Sequence, residues 1–295
     1  MNKNIKIIFF GTPDFVIQVA ESLDQNFNLV AIVTRNNSSV FKSFENKKPI
    51  FTPEKLTDEF ITEIKKLEPD LFIVAAYGKI LPLELLDLPK FGALNIHPSL
   101  LPKFRGPSPI QATIIAGDKI SGVSIIKMDS EMDHGNIVIQ EQISLSDQDN
   151  FDTLSKSMFQ VGAALLVRII PDYIEAKLPL QAQNDDEATF CKMIQKETGY
   201  FPIDTPPSPE ILDRMIRAYY PWPGVWTKWN EKIVKFLPKS HVITSTAKQS
   251  SPELEIAAGP SDPRNDGGWL VQMEGKKATP FKDFLNGYPT FPIKL

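Results

Sequence analysis

Near-continuous apolar runs at Ile5–Phe10, Leu29–Thr34, Leu71–Ala76 and Ala93–His97 alternate with stretches of helical period at Pro13–Leu23, Pro53–Leu67 and Pro109–Ala116. Strands that are apolar on both faces and separated by helices predict a mostly parallel sheet covered on both sides, an α/β domain of Rossmann-like type. Gly122–Asp129 and Ile137–Ile143 predict two further strands joined by a turn-rich loop, and Asp152–Ala176 a long closing helix. Around Pro179–Pro209 the chain turns polar and Pro-rich, which places a linker at 183–207 between a first domain over 1–182 and a second over 208–295. The second domain opens with a helix near Pro209–Tyr219. It continues as short alternating runs at Val225–Trp229, Lys232–Leu237, Leu254–Ala258 and Trp269–Met273, punctuated by Gly and Pro, a pattern that predicts a small β-barrel.

Composition narrows the compartment more than the fold. The 295 residues, 42% of them hydrophobic, suffice for two domains with a core each. A single cysteine, Cys191, excludes an internal disulfide and a cysteine-rich metal site, which favours a reducing cytoplasm. No apolar stretch approaches the roughly 20 residues that span a bilayer, and the N-terminus runs straight into the first strand, so the expectation is a cytoplasmic protein without membrane contact. The net charge of −4 argues against a coat of basic residues for general nucleic-acid binding.

The richest chemistry lies in Asn95-Ile-His97-Pro-Ser-Leu-Leu-Pro102 and, further on, Met128-Asp-Ser-Glu-Met-Asp-His-Gly135. Side chains two apart on a strand share a face, so Asn95 and His97 aim an amide and an imidazole the same way from a strand end. In an open α/β sheet that end is where ligands bind. A positioned amide can hold an oxyanion, an imidazole can carry a proton, and an acidic residue from a later loop can orient the ring. Each residue alone has a plainer reading: a lone buried His is usually a satisfied core residue, and Asn or Asp near a strand end usually makes a turn.

The surrounding motifs change that balance. Phe10-Gly-Thr-Pro-Asp-Phe15, Ala75-Ala-Tyr-Gly-Lys-Ile-Leu-Pro82, Asn95 to Pro102 with Arg105-Gly106, and Gly122 to Asp129 resemble, in order and spacing, the 10-formyltetrahydrofolate-dependent formyltransferase family. Ile216-Arg-Ala-Tyr-Tyr-Pro-Trp-Pro-Gly224 extends the likeness to the members that act on transfer RNA. The resemblance implies a Rossmann-like formyltransferase domain followed by an OB-like barrel. It also implies transfer of a formyl group from 10-formyltetrahydrofolate to the α-amino group of initiator methionyl-tRNA, without a metal, by a monomer. It makes Asn95, His97 and Asp133 the catalytic set. It assigns Ala76, Tyr77, Gly78 and Ile80, the wall Ser99, Leu100, Leu101 and Pro102, and Asp129 and Gly135 to the folate side. Gly11, Thr12 and Phe15 would face the acceptor, with Phe15 shaping a methionine pocket.

For the RNA itself, Arg35 and Lys42, with Lys47 and Lys48, could contact phosphates, and Arg217 stands beside Tyr219 and Trp222, aromatics that suit a helix-to-barrel corner. Lys228, Lys232, Lys235 and Lys239 suggest a strand-borne backbone stripe. Two departures from the family stand out: His134-Gly135-Asn136 replaces Thr-Gly-Asp after the catalytic aspartate, and the segment 35–48 is short and only modestly basic. The short segment keeps a second acceptor open, an amino sugar linked to a nucleotide. A dinucleotide-dependent oxidoreductase is rejected, because Phe10-Gly-Thr-Pro-Asp-Phe-Val lacks the Gly-x-Gly-x-x-Gly spacing. A non-catalytic RNA-binding module would not need Asn95, His97 and Asp133 together.

Overall fold

The computed structural model describes residues 4–238 and 268–293. By packing, the chain divides into two compact units, Met1–Thr113 with Asp118–Met193 and Ile114–Gly117 with Ile194–Leu295.

In the first unit the apolar runs form β1 (Lys6–Gly11), β2 (Asn28–Val33), β3 (Ile50–Phe51), β4 (Leu71–Ala75), β5 (Ala93–His97), β6 (Ile120–Lys127) and β7 (Ile137–Ser144). They make one sheet of order β3-β2-β1-β4-β5-β6-β7. It is parallel from β3 to β5, after which β6 and β7 join antiparallel. Between the strands lie α1 (Ile17–Asn26), α2 (Ser39–Phe44), α3 (Asp58–Lys65), α4 (Leu83–Leu86), α5 (Pro109–Ala116, whose residues from Ile114 on cluster with the second unit) and, after β7, α6 (Phe151–Ile174). Alternation along the strands sends Ile8 and Phe10 of β1 with Phe72 and Val74 of β4 into one apolar layer, where Phe60 and Ile64 of α3 and Leu85 and Leu86 of α4 cover them. α6 packs against α1 and β6. An Asn150–Thr153 capping box starts α6.

Four features differ from the sequence expectation. The helix placed at Pro13–Leu23 begins as a 3-10 turn at Asp14–Val16 and becomes α-helical only from Ile17. The one placed at Pro53–Leu67 starts at Asp58, where the Thr57 hydroxyl accepts the Phe60 N–H. Segment 35–48 contains α2, whose N-terminus is capped by Ser38 and tied to β2 through Thr34. By length and composition α6 does pass for a bilayer span, but ten of its 24 residues, from Leu154 to Ile170, are buried within the unit.

The second unit holds α7 (Pro209–Tyr219), β8 (Val225–Trp229), β9 (Lys232–Pro238), β10 (Trp269–Met273), β11 (Thr279–Pro280) and α8 (Phe281–Gly287). Its strands form an antiparallel sheet of order β11-β10-β9-β8. Ser208 caps α7 and Pro209 takes its first turn, where a missing N–H costs nothing. Asn230 and Glu231, both at positive φ, make the tight β8–β9 turn. Trp229, Phe236, Phe281, Phe284 and Phe291 interlock as the core. The strand expected at Leu254–Ala258 and Lys239 lie outside the described residues.

The stretch 183–207 is not a free connector. Residues through Met193 cluster with the first unit, where Gln181 pairs with Ile137 and Phe190 with Arg105. From Ile194 onward they cluster with the second, where Tyr200 pairs with Trp226 and the Phe201 carbonyl accepts the buried Thr227 hydroxyl at 2.7 Å. Polar and Pro-rich composition marks irregular backbone, and that backbone can still be fixed by hydrogen bonds to a neighbouring strand.

Candidate active site

β5 ends the parallel part of the sheet, so its C-terminal residues are held from both sides. Asn95 is in register with Val74 of β4 and Ile126 of β6, and His97 with Ser124 of β6. Asp133 reaches them from the β6–β7 loop. Its Oδ1 lies 3.4 Å from the Asn95 amide nitrogen and 3.4 Å from His97 Nδ1, and its Oδ2 accepts the Gly106 N–H at 2.8 Å. The His97 side chain is 4% exposed and that of Asp133 14%. Burial, the largest influence on Asp133, pushes its carboxyl up. The His97 charge and hydrogen bond, the Gly106 N–H and the Arg105 guanidinium together outweigh burial and hold it below the usual carboxylate range. The site therefore presents an ionised carboxylate in a mostly dry setting.

The other His97 nitrogen, Nε2, lies 3.0 Å from the Phe104 carbonyl. A carbonyl only accepts, so Nε2 donates, and Nδ1 faces the carboxylate. The sequence predicts an imidazole that carries a proton, with an acidic residue from a later loop orienting the ring. Both ring nitrogens have protein partners, and Asp133 is the group that Asn95, His97 and Gly106 share. An amide nitrogen has two protons, so Asn95 can hold Asp133 with one and an oxyanion with the other. Phe104 and Asp133 both sit at positive φ, as does Ala76 in the neighbouring turn. Such non-glycine conformations cost of the order of 1–3 kcal/mol each and persist only where the surroundings fix them.

The wall Ser99–Pro102 is fixed from beneath. The Ser124 hydroxyl accepts the Leu101 N–H at 3.0 Å and donates to the Ser99 carbonyl at 2.6 Å, while Gln140 Nε2 donates to the Leu101 carbonyl and to Ser124. The Ser99 hydroxyl donates to the Lys103 carbonyl. Leu100 lies where a Cβ on Gly122 would stand, so glycine there lets the wall approach β6. Gly135 is needed for the same reason: a Cβ would overlap the Lys127 carbonyl oxygen where the loop bearing Asp133 rejoins the sheet.

On the side assigned to the folate, Ala76 and Gly78 take positive φ at the end of β4 and are exposed, and nothing lies within 4 Å of a Cβ built on Gly78. Ile80 is 77% exposed. Open backbone polar groups beside an apolar side chain suit a flat, hydrogen-bonding heterocycle. The Tyr77 side chain turns away into the core, against Phe10; among the described residues its hydroxyl has no hydrogen-bond partner, and burial pushes its pKa up to about 12. Only the Tyr77 backbone faces the turn, and Thr12 donates to its carbonyl at 3.3 Å. Asp129 holds its own loop, accepting the Glu131 N–H and pairing with His134 at 2.7 Å. His134 therefore belongs to Asp129 and Asp185 and does not compete for Asp133; its hydrogen bond to Asp129 is the chief cause of a raised pKa.

The residues assigned to the acceptor are scattered in their surroundings. Phe15 stacks on Phe159 and meets Phe151 edge-on, both on α6. Arg35 and Lys42 are exposed, whereas Lys48 pairs with Asp24 and Lys47 lies over the Phe44 ring. In the second unit, Arg217 donates to Asp213, which also accepts the Trp269 indole N–H. Tyr219 is buried, but Trp222 is 59% exposed and does not pack a corner. Cross-strand register puts Lys228 opposite Ile233 and Lys235 opposite Trp226, on one face; Lys232 is opposite Trp229, on the other, so the stripe is split. Among the described residues no group of three or more His, Cys, Asp or Glu side chains is placed to hold a metal.

Several residues without a role in the sequence reading bear on the site: Ser124, Gln140, Gln183, Asp185 and Cys191, whose backbone carbonyl lies against Gly106. Of these five, only Ser124 stood within a motif quoted for the resemblance, Gly122 to Asp129, and it was given no role there.

Comparison with known proteins bears on both units. The formyl transferase family model matches residues 5–170, and that of the formyl transferase C-terminal domain matches residues 194–289. The chain is similar to proteins named methionyl-tRNA formyltransferase: from Halalkalibacterium halodurans, 35% identical and covering 96% of this chain and 95% of that one; from Staphylococcus epidermidis, 34% identical and covering 96% of each; and from Chloroflexus aggregans, 33% identical and covering 85% of each. Among solved structures, a methionyl-tRNA formyltransferase from Clostridium thermocellum aligns with a TM-score of 0.56 at 22% identity, covering 79% of this chain and 92% of that one. An N-formyltransferase from Helicobacter canadensis, in complex with folinic acid and dTDP-3-aminofucose, aligns at 0.59 and 20%, covering 79% and 87%. At these identities the structural likeness is one of fold.

Proposed function

The chain belongs to the formyl transferase family, and on that footing we propose that the Asn95–His97–Asp133 cluster transfers a formyl group from 10-formyltetrahydrofolate to the α-amino group of initiator methionyl-tRNA. The acceptor follows from relatives at about a third identity over nearly the whole chain, all of which carry that name. The site's part rests on one observation, the convergence of the Asn95 amide, the His97 ring and the Gly106 N–H on one carboxylate at the end of β5.

10-Formyltetrahydrofolate supplies the formyl carbon, and the exposed backbone at Ala76 and Gly78, with Ile80 and the wall Ser99–Pro102, would hold it. As the amine bonds to that carbon, negative charge builds on the formyl oxygen and the free Asn95 N–H donates to it. The amine must lose a proton. The Asp133–His97 pair takes it up, with Phe104 and Gly106 fixing the pair's outer sides. The carbon–nitrogen bond to the donor then breaks, and the donor nitrogen regains a proton from the same pair. A cytoplasmic setting suits both substrates.

Purified protein given 10-formyltetrahydrofolate and charged initiator tRNA should yield N-formylmethionyl-tRNA. The Asn95→Ala variant should lose on the order of 10²-fold in kcat with little change in KM, the cost of one oxyanion donor. Near-normal turnover by that variant would remove Asn95 from the reaction.

A further inference from the structure

The catalytic loop is gripped from a segment that carries no chemistry of its own. Gln181 exchanges both backbone hydrogen bonds with Ile137, at 2.8 and 2.9 Å, which fixes the chain two residues before Gln183. The Gln183 carboxamide then donates to two carbonyls, those of Asp133 and Gly135, each at 2.8 Å. Its oxygen accepts from Arg105 Nε at 2.9 Å, and Arg105 Nη2 goes on to Asp185 at 2.8 Å. Arg105 is buried, and the next residue, Gly106, supplies the N–H that binds the Asp133 carboxylate. A closed ring of hydrogen bonds thus joins 105–106 to Asp133 twice, once at its side chain and once, through Gln183, at its backbone.

We propose that Gln183, locked by Arg105, is a positioning residue for formyl transfer: its amide holds the Asp133 backbone in the left-handed conformation that points the carboxylate at Asn95 and His97. An outside hold favours the conformation, because Asp133 is at φ +53°, a region uncommon for residues with a Cβ. Two acceptors that straddle His134 leave the loop apex little freedom to rotate, and the amide has no donor left for anything else. The role rests on the formyl-transfer reading of the site.

Gln183→Met keeps the volume and removes the grip. It should lower kcat on the order of 10- to 100-fold, as expected for a misplaced catalytic group, with KM for both substrates little changed. The acid limb of the kcat profile should move to higher pH, because a loosened Asp133 loses the contacts that favour its charged form. In an Asp133→Asn background the same substitution should cost nothing further, since Gln183 acts through Asp133. The Gly106 amide should exchange with solvent about tenfold faster, a readout independent of turnover. Should Gln183→Met not fold, Gln183→Glu keeps the size and the Arg105 contact and is expected to behave alike. An unchanged kcat, pH profile and Gly106 exchange, or the same loss in the Asp133→Asn background, would overturn the proposal. A parent protein that forms no formyl-methionyl-tRNA refutes the functional reading alone, and Gly106 exchange then decides the role of Gln183.

Discussion

Replacing Ser124 by alanine removes one oxygen atom and should unsettle the whole wall that follows His97. Ser124 is fully buried, in register with His97 on the neighbouring strand. Its hydroxyl satisfies the Leu101 N–H and the Ser99 carbonyl and receives one proton of Gln140. Gln140 keeps its bond to the Leu101 carbonyl, so the groups left without this partner are chiefly one backbone N–H and one backbone C=O. At about 1–3 kcal/mol for each buried polar group left unpaired, the loss is about 2–4 kcal/mol once partial relaxation is allowed for. A unit of this size shifts by about 2–4 °C per kcal/mol, which gives a fall in Tm of about 4–16 °C. Calorimetry on parent and variant reads the shift, and steady-state kinetics at a temperature where both are folded should show a raised KM for the folate. A Tm within about 1 °C of the parent would refute the claim that Ser124 carries the wall.

Gly135→Ala should abolish most activity and lower stability, because the new Cβ meets the Lys127 carbonyl and the loop carrying Asp133 must shift; parent-like kinetics would show that the loop gives way freely. The folded-state pKa of Asp133 lies below its ordinary value of 3.8, so its contribution to stability is fully present above that value and disappears as pH falls through the lowered one. Urea unfolding across the acid range should therefore show a flatter curve for Asp133→Asn than for the parent, and superimposable curves would contradict the assignment. Neutralising Arg35 and Lys42 should reduce the slope of log K for tRNA against log salt by roughly 1–2. Neutralising Lys48, already paired with Asp24, should change the slope much less; equal effects would mean that the ion pair does not decide which cation meets phosphate.

The sheet was legible because its strands are apolar on both faces, a pattern strong enough to survive without context; the runs at β1, β4 and β5 need no partner to be recognised. Short elements were not. α2 has six residues and one cap, Ser38, in a segment whose Asn and Ser content looks like loop, and it forms because Val40 and Phe44 are buried. At the site, Asn95 and His97 were visible through their spacing, and Asp133 through its motif. Gln183 and Ser124 were not, because each binds backbone far away in sequence, and a backbone carbonyl leaves no mark on composition. Arg217 shows the converse. Its motif is conspicuous, and its side chain is folded onto Asp213 within its own helix. Cations read as one stripe from sequence spacing can also fall on opposite faces once cross-strand register is known, as Lys228 and Lys232 do.

The most direct test of the account is acceptor choice. Purified protein, 10-formyltetrahydrofolate and an equimolar mixture of charged initiator methionyl-tRNA and nucleotide-linked amino sugars would be incubated together and the products identified by mass. The account predicts formyl-methionyl-tRNA, with the sugars unmodified and the reaction lost in Asn95→Ala. Formylated sugar with unmodified tRNA would keep the chemistry at Asn95, His97 and Asp133 and contradict the acceptor.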